Sequence, residues 1–143
     1  MNVESMVAKA QKYCHTNGVR FTSIREKVFR LLAQQSNAQG AYELLDQLKE
    51  SEPAAKPATI YRALDFLMSQ GFVHKIESNN SFVFCDHFGC SHPVQFLICD
   101  SCGSVEEIQS EQLESSLTSQ AQEKGFKIHH QTIEAHGLCA KCA

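Results

Sequence analysis

The chain has 143 residues, 43% of them hydrophobic, which allows one medium domain or two small ones and favours a packed core over disorder. A formal net charge of −3 excludes a general nucleic-acid coat, and no run of about 18 apolar residues is present to span a membrane. The N-terminal stretch MNVESMVAKAQKYC has no apolar signal core, so a cytoplasmic protein with reduced cysteines is expected.

In chain order, the first half reads as helices. VESMVAKAQKYC sets Val3, Met6, Val7 and Ala10 at helical spacing, and Gly18 interrupts the pattern. FTSIREKVFRLLAQQ predicts a second helix with Thr22 or Ser23 as N-cap. Ser23 and Glu26 have capping-box spacing, and Ile24, Val28, Leu31 and Leu32 form the apolar stripe. AYELLDQLKES turns Leu44, Leu45 and Leu48 inward and stops at Pro53. KPATIYRALDFLMSQG predicts the next helix. Pro57 suits its first turn, Gly71 suits the position past its end, and Ile60, Ala63, Leu64, Leu67 and Met68 form the buried stripe.

After Gly71 the period changes to two. FVHKIE and SFVFC are β-branched and aromatic runs separated by Ser78, Asn79 and Asn80, the pattern of a hairpin. Helices followed by a hairpin give the order of a winged helix-turn-helix, whose last helix enters the major groove of DNA. Thr59, Tyr61, Arg62 and Asp65 lie off the buried stripe of that helix. Arg62 can pair bidentately with guanine, and Tyr61 can reach a phosphate or a thymine methyl. Arg20, Arg25, Lys56 and Lys75 are candidate phosphate contacts, which position a protein without reading sequence.

The second half has a different chemistry. Residues 1–84 carry ten Lys/Arg against eight Asp/Glu, and residues 85–143 carry three against eight. Six of the seven cysteines and five of the seven histidines lie in that acidic part. Two Cys-x-x-Cys pairs, Cys99 with Cys102 and Cys139 with Cys142, are separated by 36 residues. Each pair can form a knuckle that turns two thiolates to one ion, and four thiolates close the tetrahedron of a structural zinc site. Iron also fits a sulfur tetrahedron. A redox pair fits poorly, because neither motif opens a helix in a βαβ unit. Between the pairs, SVEEIQ and FKIHHQTIEAHG read as strands and SEQLESSLTSQAQEKG as a helix with Leu113, Leu117 and Ala121 on one face. With VQFLIC as a further strand, this is a small α/β domain, of a kind that often dimerises through its sheet. The expected fold class is α+β: a winged-helix domain over 1–84, a hinge over 85–93 and a zinc-stapled α/β dimerisation domain over 94–143.

His74, Cys85, His87, Cys90, His92, Glu106, Glu107, His129, His130 and His136 remain as potential ligands, too many for one further ion. The cluster CDHFGCSH falls where the hinge is expected, and a metal there would fix the angle between the halves.

AKPATIYRALDFLMSQGFVHKIES resembles the recognition helix and wing of the ferric uptake regulator superfamily. FLICDSCGSVEE and IEAHGLCAKC are similar to its C-terminal cysteine pairs, and YRALDFL, GFVHK and EAHGLCAKC resemble most closely its zinc-uptake branch in enteric-type bacteria. The resemblance implies a homodimeric, zinc-dependent repressor that binds AT-rich palindromic operators ahead of zinc-uptake genes. It implies two zinc ions per chain, a structural one on Cys99, Cys102, Cys139 and Cys142 and a regulatory one on His74, Cys85, His92 and Glu107. It also implies DNA contacts at Tyr42, Tyr61 and Arg62. The soft Cys85 ligand favours zinc over iron(II), and Cys90 is an alternative to Cys85. An iron(II)-responsive regulator of the same superfamily is the nearer rival. A zinc hydrolase with Glu106 or Glu107 as base is the more distant one, and no catalytic motif supports it.

Overall fold

The computed structural model describes residues 2–35, 37–85, 88 and 93–143. The chain divides into two compact units, Met1–Cys90 and Ser91–Ala143.

The first unit opens with α1 (Val3–Thr16), which starts where the Asn2 side chain accepts the Ser5 N–H at 2.8 Å. α2 (Ser23–Ala33) is capped by Thr22, whose Oγ1 accepts the Arg25 N–H at 3.4 Å. The capping position therefore falls on Thr22, and the Ser23–Glu26 box expected from spacing does not form. Glu26 instead accepts from Arg30, one turn on, at 3.2 Å and from Gln11 at 2.8 Å. A two-residue strand, β1 (Gln39–Gly40), leads into α3 (Ala41–Leu48), which buries Ala41, Leu44, Leu45 and Leu48.

α4 (Pro57–Ser69) has the ends its sequence announces. Pro57 occupies the first turn, and the Thr59 hydroxyl accepts the Lys56 N–H at 3.1 Å. At the other end Gly71 adopts φ +76°. The Phe72 N–H bonds the Leu67 carbonyl at 2.9 Å and the Gly71 N–H bonds the Met68 carbonyl at 3.0 Å, the paired bonds of a Schellman stop. Gly71 is needed because a side chain is disfavoured at that φ. The turn feeds β2 (Val73–Ile76), which pairs antiparallel with β3 (Ser81–Phe84), and β1 lies on the far side of β3.

Phe29 of α2 holds this unit together. It is fully buried and makes edge-to-face contacts with Phe21, Phe72, Phe84 and Phe88 at centroid distances of 5.2–6.0 Å. Edge-to-face geometry sets the positive ring edge against the negative face. The second helix, the turn after α4, the wing strand β3 and the chain beyond it thus share one aromatic cluster.

In the second unit β4 (Val94–Cys99) is the central strand. It pairs antiparallel with β5 (Val105–Glu107) and parallel with β6 (Thr132–Gly137). The C-terminal strand is half the length its sequence suggests, because β4 offers only six residues, paired one to one from Val94 to Thr132 through Cys99 to Gly137. Pro93 precedes them and has no N–H to extend the ladder. α5 (Glu111–Glu123) is capped by Ser110 and tied to the sheet by the buried Gln95, which donates to the Ser110 carbonyl at 3.3 Å and accepts its N–H at 3.0 Å. Leu113 and Leu117 do share a face of α5, but they are 42% and 43% exposed, and the helix has no buried residue. Among the described residues, no helix is long and apolar enough to cross a membrane.

Candidate metal centre and nucleic-acid interface

The second unit brings Cys99, Cys102, Cys139 and Cys142 together, with all four sulfurs within 4.8 Å of one another. The sheet does this. Cys99 ends β4 opposite Gly137, the last residue of β6, and the Asp100 N–H bonds the Gly137 carbonyl at 2.8 Å. The parallel pairing thus delivers Cys139 beside the first knuckle. Gly103 turns that knuckle at φ +76° and its N–H bonds the Cys99 carbonyl at 3.0 Å. The second knuckle closes through the Cys142 N–H and the Cys139 carbonyl at 3.0 Å.

The donor set fits a tetrahedral ion. Metal–sulfur bonds of about 2.3 Å require sulfur–sulfur edges of about 3.8 Å. Cys102 Sγ and Cys139 Sγ are 3.7 Å apart, far beyond a disulfide bond of about 2.05 Å. The N–H groups of Cys102 and Cys139 point at Cys99 Sγ at 3.5 and 3.4 Å. Those amides, Cys102 first, lower the Cys99 thiol to about 6. Ser104 Oγ, 3.3 Å from Cys102 Sγ, lowers that thiol as well. Cys142 is pushed up to about 12, first by its hydrogen bond to the Cys139 sulfur. Sulfurs this close resist a full set of negative charges unless a cation lies among them.

The first unit places His74 on β2 and Cys85 one residue past β3. The Cys85 N–H bonds the Phe72 carbonyl at 2.9 Å, which extends the β2–β3 register by one pair. His74 and Cys85 are then diagonal neighbours on one face of the wing, with ligand atoms within 4.8 Å. Cys85 is fully buried, and His74 is half-buried. Glu107 ends β5 in the second unit, opposite Phe96. His92, His87 and Cys90 lie outside the described residues.

The expected nucleic-acid contacts are spread over the first unit: Arg20 just before α2, Arg25 on α2, Tyr42 on α3, Lys56 at the start of α4, Thr59, Tyr61 and Arg62 on α4, and Lys75 on β2. Tyr42 is 65% exposed in the first turn of α3, Tyr61 is 45% exposed on α4, and Arg62 is exposed beside it. Lys56 caps α4 and is exposed, whereas Thr59 is half-buried and occupied with the Lys56 N–H. Arg25 is also occupied, by the ring of Phe66 and the Arg20 carbonyl. Sequence reasoning missed Ser104, the amides around Cys99, and Phe88, whose burial carries the first unit's core past Cys85. Cys-x-x-Cys spacing signals ligands and is silent about the donors that surround them.

The sequence pattern of the ferric uptake regulator family matches residues 16–136. The chain belongs to the ferric uptake regulator family. Among relatives in that family, the zinc uptake regulation protein of Escherichia coli (strain K12) is 49% identical over 140 residues, covering 97% of this chain and 82% of the relative. The ferric uptake regulation protein of Bacillus subtilis (strain 168) is 29% identical over 143 residues, covering 98% of this chain and 96% of the relative. A zinc uptake regulator solved in complex with zinc and DNA matches with a TM-score of 0.95 at 48% identity, over 99% of this chain and 95% of that one. The winged-helix unit and the small α/β unit are thus the N-terminal and C-terminal domains of a ferric uptake regulator fold.

Proposed function

We propose that the chain is a zinc-responsive transcriptional repressor, not an enzyme, that acts in the cytoplasm as a homodimer. It binds AT-rich palindromic operators and controls zinc-uptake genes. The observation that carries this reading is the His74–Cys85 pair built into the wing of a DNA-binding unit. A soft sulfur and an imidazole suit zinc better than iron(II) or manganese(II). The 49% identity to a zinc uptake regulation protein supports the same choice of metal.

The reading assigns two zinc ions per chain. Cys99, Cys102, Cys139 and Cys142 hold a structural zinc, whose chemistry is a cross-link between the chain's last residues and the β4 knuckle. His74 and Cys85, with His92 and Glu107, hold the regulatory zinc. Phe29 and Phe72 connect Cys85 to α2 and to the end of α4, so the packing around the sensing cysteine continues into the DNA-reading helices. The exposed Leu113 and Leu117, with Phe126 at 66% exposure, support a second copy as the cover of α5.

Arg62 carries the base-reading role. Arg62→Ala is expected to weaken binding to a selected operator by about 1–3 kcal/mol and to leave random-sequence DNA nearly unaffected. Parallel titrations of the two duplexes at one salt concentration test this. Equal loss on both would make Arg62 a phosphate contact.

A further inference from the structure

Most cations of α2 with a visible role are neutralised. Arg30 is paired with Glu4 and Glu26, and Lys27 with Glu52. Arg25 differs. It sits in the first turn of α2, where the helix dipole disfavours a positive charge, and it has no carboxylate partner among the described residues. Two neutral contacts fix it instead. Its guanidinium carbon lies 3.9 Å from the centroid of the Phe66 ring, and Nη1 donates to the Arg20 carbonyl. Phe66 belongs to α4, one turn beyond Arg62 and therefore on the same side of the helix. The ring holds the guanidinium in one place without cancelling its charge.

We propose that Phe66 is a positioning residue for DNA binding, its ring fixing the Arg25 guanidinium beside the recognition helix as a phosphate contact. This rests on the DNA-binding reading above. A guanidinium held in advance loses less rotamer freedom when it meets a phosphate. The arrangement also makes α2 and α4 engage the duplex as one body.

The probe is a duplex selected by the zinc-loaded wild-type chain from a random-sequence pool, titrated across a salt series. Arg25→Ala, which removes one phosphate contact from each half of the dimer, is expected to weaken binding and to flatten the slope of log affinity against log salt by about 1.8. Phe66→Leu, which keeps apolar bulk and removes the π face, is expected to weaken binding about two- to five-fold. Phe66→Tyr restores wild-type affinity, and in the Arg25→Ala background Phe66→Leu costs nothing further. Thermal melts check that each variant is folded, and Phe66→Met replaces Phe66→Leu if the latter melts early. Equal loss from Phe66→Leu with and without Arg25 overturns the proposal, as does no loss at all or an unchanged salt slope for Arg25→Ala. If the wild-type chain selects no duplex, the DNA-binding reading itself has failed.

Discussion

Cys102→Ser is expected to unfold the C-terminal unit. Among the described residues of that unit only Val94, Gln95, Phe96, Ile98 and Cys99 are buried, and α5 buries nothing. A unit spanning Ser91–Ala143 falls well below the roughly 70–80 residues at which one core suffices without a staple. On the proposed reading the four cysteines provide the staple by holding a structural zinc, which contributes about 10–16 kcal/mol of apparent folding energy. Serine at position 102 removes one thiolate from a set of four and leaves the other three facing one another. The expected result is loss of one zinc per chain, loss of the cooperative melt of this unit, and loss of dimer in sedimentation. A variant that keeps its fold while carrying one zinc fewer would show that the sheet is stable by itself.

Cys85→Ser is expected to behave in the opposite way. Cys85 borders a large aromatic core, and a buried hydroxyl in its place costs only about 1–3 kcal/mol. The protein should remain folded and retain the zinc on its C-terminal cysteines. It should lose the enhancement of DNA binding by zinc, a coupling of typically 5–150-fold. His74→Ala should match it. By linkage, DNA should also cease to raise the affinity for the second zinc in these variants. Titrating zinc into the chain with and without duplex measures both directions. If Cys85→Ser binds DNA in the wild-type zinc-dependent manner, the wing does not contain the sensor.

The helical half was legible because each helix announces itself twice, in its stripe and in its ends. Pro57 and Gly71 bracket α4, and the Schellman bonds at Gly71 follow from a residue choice visible in the sequence. The clustering of the C-terminal cysteines is legible for a chemical reason, since two Cys-x-x-Cys pairs at this spacing are the mark of a metal site. β1 was not, because two residues, Gln39 and Gly40, hold no period to detect. The length of β6 was hidden because it depends on Pro93 and β4, a partner some forty residues away. The cap of α2 is one of the two residues its sequence offers, Thr22 and Ser23, which are equally good acceptors. Only the backbone at Thr22 decides between them, and it leaves Ser23 without the capping box its spacing suggests. Leu113 and Leu117 share a face of α5, as their spacing predicts. That Leu113 and Leu117 stay exposed depends on how α5 packs in three dimensions, which the spacing of its apolar residues does not specify.

On the function proposed above, zinc bound at the wing switches DNA binding. The direct measurement is operator affinity at fixed salt against buffered free zinc, repeated with iron(II), with metal content determined per chain. Salt is fixed because phosphate contacts make affinity steeply salt-dependent. One zinc per chain is expected to resist mild chelation and a second to turn DNA binding on, with iron(II) ineffective. DNA binding that ignores zinc and follows iron(II) would contradict it.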